Sequence, residues 1–216
     1  YLKSIFKSKK FKKILDKKNV LDIGVGWGSS SLFLSKLGAI VSGIDISSTS
    51  IKGARRNIKL HSCKHVKLLQ MDAEKINFSN NKFDYVFSWG VIHHSANTEN
   101  ILKQIRRVLK PNGKGMIMVY NKNSIRYYSL GFYYLFFKGK IFRGENLESV
   151  QKYFTDGYWH RHFTPKELIL ILRKYGLQTE NIKLTYMKRR CFPGLKSGSN
   201  IDNWLKSKFG WLLVAH

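Results

Sequence analysis

The chain has 216 residues, 43% hydrophobic and 14% aromatic, enough apolar material for one domain with a substantial core, which excludes the disordered and fibrous classes. Lys and Arg number 39 against 13 Asp and Glu, a formal charge of +26 with a pI near 10.1. Such a field attracts phosphate polymers, anionic membranes and acidic small molecules without choosing among them, and because 29 of the cations are Lys, an A+T-rich gene accounts for it equally well.

The two cysteines, Cys63 and Cys191, sit in no paired motif, so neither a disulfide framework nor a thiolate metal site is expected, and a reducing cytoplasm suits the chain. No signal-peptide pattern is read, and Tyr1 in place of Met suggests that the natural start is missing. The longest uncharged aromatic run, Tyr127 to Phe137, is too short for a membrane span, which takes roughly 20 residues.

Residues 1–18 hold eight Lys and one Asp, with Leu2, Ile5, Phe6, Ile14 and Leu15 on one face, and read as a basic amphipathic helix. From Val20 onward short apolar runs alternate with longer periodic ones, the pattern of βα units around a parallel sheet. Strands are predicted at Val20–Ile23, Ile40–Ile44, Val66–Met71, Phe83–Ser88 and Lys114–Tyr120, and helices at Ser29–Leu37 and Ser48–Leu60. Over Thr98–Lys110 the apolar residues Ile101, Leu102, Ile105, Val108 and Leu109 form one helical stripe that Pro111-Asn112-Gly113 stops. Thr164-Pro165-Lys166-Glu167 is a capping box opening a helix that runs to Tyr175 and ends at Gly176. Final strands are expected near Gln178–Met187 and Gly210–Ala215. Residues 122–163 fit no sheet element and read as a lid or substrate cap. The organisation is thus a single domain: leader 1–18, cofactor-binding core 19–121, cap 122–163, and a C-terminal helix and strands over 164–216.

Asp22-Ile23-Gly24-Val25-Gly26-Trp27-Gly28 places glycines at alternate positions where a strand hands over to a helix. Glycine permits the tight turn and a close ligand approach, and the helix start supplies free amide donors. Gly43-Ile44-Asp45 puts a carboxylate at the end of strand two, suited to a ribose diol. Met71-Asp72-Ala73 puts another at the end of strand three, suited to an exocyclic amine on adenine or to an ordinary cap. Dinucleotide sites favour G-x-G-x-x-G, but Ser29 stands where the third glycine falls. Asp22 would repel a pyrophosphate and tolerate an ammonium, so adenosine carrying a methionine tail fits better.

These residues, with Phe83-Asp84-Tyr85-Val86, Gly90-Val91-Ile92-His93-His94 and Val108-Leu109-Lys110-Pro111-Asn112-Gly113-Lys114, resemble a class I S-adenosylmethionine-dependent methyltransferase, of the broad small-molecule group with a Val-x-His-His motif after strand four. The resemblance implies a Rossmann-like α/β fold with a seven-stranded, mostly parallel sheet of order 3-2-1-4-5-7-6 and an antiparallel last strand. It implies that S-adenosylmethionine is the cofactor and S-adenosylhomocysteine the product. Asp22, Gly24, Gly26 and Gly28, with Trp27 in the same turn, would surround the methionine moiety. Asp45 would bind the ribose, Ile46 would pack on the adenine, Asp72 and Ala73 would sit at its edge, and Trp89 would line the pocket unless it is simply a core residue.

In-line displacement at a sulfonium methyl needs no metal and no enzyme nucleophile, only alignment. Loss of a proton from a hydroxyl or protonated amine would call on a histidine, and His93 and His94 are candidates for that or for a purely loop-shaping role. His160-Arg161-His162 could hold an anionic acceptor or be a solvated turn, and Tyr120 and Asn121 reach the same sheet edge. The motifs support a small-molecule acceptor methylated on oxygen or nitrogen. Charge alone supports RNA, and the Lys-rich leader with the aromatic block supports a membrane-linked lipid or quinone acceptor. A cofactor-binding protein without catalysis is the remaining alternative.

Overall fold

The computed structural model describes residues 9–155, 160–185 and 212–216, with Asn200, Trp204, Ser207, Lys208 and Gly210 between them. The leader before Lys9, Gly157-Tyr158-Trp159, the end of the expected sixth strand at 186–187, and Cys191 lie outside the described residues.

Seven strands form one sheet of order β3-β2-β1-β4-β5-β7-β6. They are β1 (Asn19–Ile23), β2 (Ile40–Asp45), β3 (Val66–Gln70), β4 (Phe83–Trp89), β5 (Leu109–Tyr120), β6 (Ile182–Thr185) and β7 (Leu212–Ala215). The first five run parallel, and β7 is antiparallel to both β5 and β6. The carboxyl ends of β1 to β5 therefore share one edge, where a doubly wound sheet presents its crevice.

Alternation along the central strands divides the core. Leu21 and Ile23 of β1, Ile117 and Val119 of β5, and Leu213 and Ala215 of β7 pack with the helices α4 (Thr98–Val108) and α6 (Pro165–Lys174). Val20, Phe87, Met116, Met118 and Val214 point the other way, toward α1 (Lys9–Leu15) and α2 (Ser29–Lys36). The apolar stripe of α3 (Ser48–Leu60), Ile51, Ala54 and Ile58, closes on Val25 and Leu68. Thr164 and Glu167 form the expected capping box, and Gly176 follows in the left-handed conformation that ends α6.

Beyond shifts of a residue or two at element ends, the larger departures from the sequence reading are these. Helix α4 ends at Val108, because Leu109 already pairs with Phe83; Pro111-Asn112-Gly113 becomes an irregularity inside β5, with Asn112 at φ 60°. Strand β6 begins at Ile182 rather than near Gln178, since only residues from Ile182 reach β7. Within 122–163, expected to contain no sheet element, Phe163 forms a parallel bridge with Asn121. Between Ile125 and Tyr153 that stretch is mostly helical turns. Helix α5 (Ile125–Phe132) runs on as a π-turn over Tyr133–Phe137, and short 3-10 turns follow at Lys140–Arg143 and Ser149–Tyr153.

Candidate active site

The glycine turn leaves β1 and is held in shape by its neighbours. The N–H groups of Gly24 and Val25 both donate to the Ile44 carbonyl, at 2.8 and 3.1 Å. Gly26 N–H donates to Oδ2 of Asp45 at 2.9 Å, and Ser47 N–H donates to Oδ1 at 2.9 Å. Strand β2 thus fixes the turn through one carboxylate. Two glycines here have distinct reasons. At Gly24, φ +75°, a Cβ would collide with the Val91 side chain, whereas at Gly26, φ +51°, a Cβ would meet nothing within 4 Å. The first glycine serves packing; the second leaves the backbone open to close approach.

Asp22, 1% exposed, sits beneath this turn. Its Oδ2 accepts the hydroxyls of Ser30 and Ser31 from the first turn of α2, each at 2.6 Å, and no group among the described residues bonds its Oδ1. Burial pushes its carboxyl up to about 6, against the lowering effect of the two serine hydroxyls, and repulsion from Asp45 adds to the rise. Along the rim, the Trp27 ring is 71% exposed and lies on the backbone of Gly53, where a Cβ would fall 2.6 Å from Cε3. Ile46 is 69% exposed. Asp72 Oδ1 caps its own turn by accepting Glu74 N–H at 2.8 Å, and Ala73 packs against the core beside it. Trp89 is half-buried and parallel to Phe87, ring centroids 6.1 Å apart.

The second half of the site lies at the ends of β4 and β5. The four histidines that the sequence presents as two separate pairs meet around Tyr120. Its ring centroid is 4.1 Å from His93, 5.9 Å from His94, 5.8 Å from His160 and 5.6 Å from His162. Backbone bonds make this possible. Arg161 N–H donates to the His93 carbonyl at 2.8 Å, Phe163 N–H to Tyr120 at 2.9 Å and Lys122 N–H to Phe163 at 2.9 Å, so residues 161–163 run as a strand stub beside β5. His160 and His162, two apart, are thereby brought to Tyr120, and Tyr127 of α5 closes on His162 at 4.8 Å.

His93 is fully buried, and neither ring nitrogen has a hydrogen-bond partner among the described residues. Burial holds its imidazole well below the usual range, and the neighbouring histidines deepen the effect. Burial likewise pushes His162 down to about 3, aided by His160, Lys122 and Arg126. Thr155 Oγ1 lies 3.2 Å from Nε2 of His160. Two other expected contacts are occupied or turned away. The Asn121 amide donates to the Gly210 carbonyl at 2.7 Å and accepts Asn123 N–H at 3.0 Å, and the exposed Arg161 lays its guanidinium over Phe163 at 4.8 Å. Tyr127, Ser30 and Ser31 are additions that sequence reasoning missed. The run Ser29-Ser30-Ser31 at a helix start below a buried acid was the available signal for the serines; the aromatic block gave no means to single out Tyr127. No group of three or more His, Cys, Asp or Glu suited to a metal ion occurs among the described residues.

A sheet of this order, with a glycine turn and acidic strand ends at its carboxyl edge, is a doubly wound α/β fold of the kind that takes a nucleoside-bearing ligand at that edge. A sequence profile of the Methyltransferase domain family matches residues 20–113. That match takes in a little under half of the chain and agrees with the resemblance to the class I S-adenosylmethionine-dependent methyltransferases. It is 38% identical over 104 residues to phosphoethanolamine N-methyltransferase 2 of Caenorhabditis elegans, covering 48% of this chain and 24% of that one. It is 28% identical over 165 residues to the mitochondrial ubiquinone biosynthesis O-methyltransferase of Arabidopsis thaliana, covering 75% of this chain and 47% of that one. The chain therefore spans less than half of either curated relative. In fold it is similar to an S-adenosylmethionine-dependent methyltransferase of Mesorhizobium loti, with a TM-score of 0.67 at 13% identity over 98% of both chains.

Proposed function

We propose that the chain transfers a methyl group from S-adenosylmethionine to an oxygen or nitrogen of a small-molecule acceptor by in-line displacement. The observation that carries this reading is the unobstructed side of Gly26, whose N–H is held by Asp45, in a turn that follows the buried Asp22 at the same sheet edge as the histidine cluster. A carboxylate offers about four acceptor positions. Backbone amides take two of Asp45's, which leaves the others for a ribose diol. Two acids beside the turn suit a cationic ammonium and sulfonium and oppose a pyrophosphate. The residues fit the donor.

When bound, the donor supplies an electrophilic methyl on a sulfonium. Gly26, with Trp27 in the same turn, would hold the methionine end, in a turn whose shape Gly24 and Gly28 allow by packing against Val91 and Ala54; Ile46, Asp72, Ala73 and Trp89 would border the nucleoside end. The Tyr120 and Tyr127 rings with His93, His94, His160 and His162 hold and align the acceptor, which supplies most of the acceleration in such a displacement. Low intrinsic basicity suits His93 and His162 to a neutral hydrogen-bonding role; of the two that remain, His160 has Thr155 Oγ1 within 3.2 Å, and His94, directly after β4, is assigned the proton that a hydroxyl or ammonium gives up. Residues 122–163 cover the acceptor, tied to the sheet at Phe163 and to the cluster through Tyr127. The curated relatives named for nitrogen and for oxygen methylation support both acceptor atoms. Incubation with labelled S-adenosylmethionine and a panel of small amines, phospho-amines and phenols tests this. Release of S-adenosylhomocysteine with one acceptor class is expected, and release with none would refute it.

A further inference from the structure

Helix α5 and its π-turn bury the wrong amount of aromatic surface for a free surface helix. Tyr127, Gly131 and Leu135, spaced four apart, face inward, while the outward positions are Tyr128, Ser129, Phe132, Tyr133, Phe136 and Phe137. Five of these six are aromatic, and none is charged. Phe137 is 85% exposed and Phe142, on the next turn, 90%. The rings form two ladders: Tyr128 on Phe132 at 6.5 Å and Phe132 on Phe136 at 5.9 Å, and Tyr133 on Phe137 at 6.0 Å. An exposed, contiguous apolar face of this kind marks a surface that something covers.

We propose that this face rests on an anionic lipid bilayer. Its edge is cationic. Lys138 reaches over Tyr133, Lys140 over Tyr153, and Arg143 is exposed beside Phe142. Across residues 122–163 seven Lys and Arg stand against three acids. Of these acids, Glu145 is held by Lys152 at 2.9 Å and by the Tyr153 hydroxyl at 2.8 Å, leaving it no net field to present. A helix with aromatics on one outer face and Lys and Arg at its border is the pattern of an element lying in the headgroup plane, tyrosine hydroxyls at the wet boundary. At about 1.5 Å per residue, thirteen residues reach about 20 Å, enough to lie on a bilayer and too little to cross one.

The same charges argue against a second copy of the chain. Pairing this face with a second copy would bring two sets of Lys138, Lys140 and Arg143 together, and the +26 chain repels itself. A nucleic acid would find only Ser129 and the tyrosine hydroxyls to read. The opposite side of the same helix, through Tyr127, touches the histidine cluster, so contact with a bilayer would place that cluster near the membrane. Bilayer contact does not depend on methyl transfer.

Co-sedimentation of the full chain with phosphatidylcholine vesicles, with and without phosphatidylglycerol, tests the proposal. Binding to the phosphatidylglycerol vesicles that weakens with salt is expected. The double variant Phe137→Ser, Phe142→Ser should lower vesicle affinity at least about tenfold. Both residues are exposed, so unchanged binding of S-adenosylhomocysteine would show that the variant is folded. Absence of vesicle binding at low salt would overturn the proposal, as would a variant that binds like the parent. Self-association or RNA retardation that the variant abolishes, with the parent indifferent to vesicles, would assign the face to another partner and overturn it equally.

Discussion

Gly26 and Asp45, nineteen residues apart, are joined by a 2.9 Å bond from backbone N–H to carboxylate. The end of β2 thereby fixes the shape of the turn after β1 before any ligand arrives. Pre-organisation of this kind lowers the ordering cost of binding. It also gives Asp45 two tasks, shaping the turn and offering its remaining lone pairs to a ligand.

Asp45→Ala should weaken S-adenosylmethionine binding by about 1–3 kcal/mol, since a hydrogen-bond acceptor is lost and two backbone amides are left without it. Calorimetric titration checks this. An unchanged affinity would remove Asp45 from the site.

Gly24 and Gly26 should respond differently to alanine. Gly24→Ala drives a methyl into Val91 and should lower thermal stability sharply. Gly26→Ala has room and should cost only the left-handed backbone penalty, about 1–2 kcal/mol, while reducing donor affinity at least about tenfold. Melting curves and donor titration on both variants separate packing from binding.

Two buried groups should give opposite pH dependences. Asp22 titrates near 6 in the folded chain and at 3.8 when unfolded, so between these values the folded state binds more protons. Its contribution therefore falls as pH rises, by about 3 kcal/mol over the window, and Asp22→Asn should abolish that fall. His162 is held down to about 3 from 6.5, so below 6.5 only the unfolded chain takes up the proton. Stability should be lost as pH drops, by about 2 kcal/mol from pH 6.5 to pH 5, and His162→Gln should remove that loss. Denaturant unfolding of each variant beside the parent isolates the two effects.

His94→Ala should reduce turnover by about 10²–10⁴ with an acceptor that must lose a proton, leaving donor affinity intact. Steady-state rates with the acceptor found by panel screening test it. Full activity would assign His94 a shaping role alone.

Much of the core was legible because its signals are local. Short apolar runs located β1 to β4 and period-3.6 patterns α2 to α4, and Thr164 with Glu167 marked the start of α6 to the residue. The acids Asp22, Asp45 and Asp72 stand at strand ends, where spacing alone places them. What could not be read was long-range. His160 and His162 reach Tyr120 only because backbone bonds from Arg161 and Phe163 span some forty to seventy residues to Tyr120 and His93. Nor does sequence distinguish Gly24, filled by Val91, from Gly26, which faces space, since both occupy one repeating pattern.

The central claim is that the sheet edge at Gly26 and Asp45 grips an adenosyl sulfonium. Equilibrium titration of the chain with S-adenosylmethionine, S-adenosylhomocysteine and NAD measures it most directly. One site for each of the first two, weakened in Asp45→Ala, with no uptake of NAD, is the predicted result. Uptake of NAD with neither adenosyl compound bound would contradict the account.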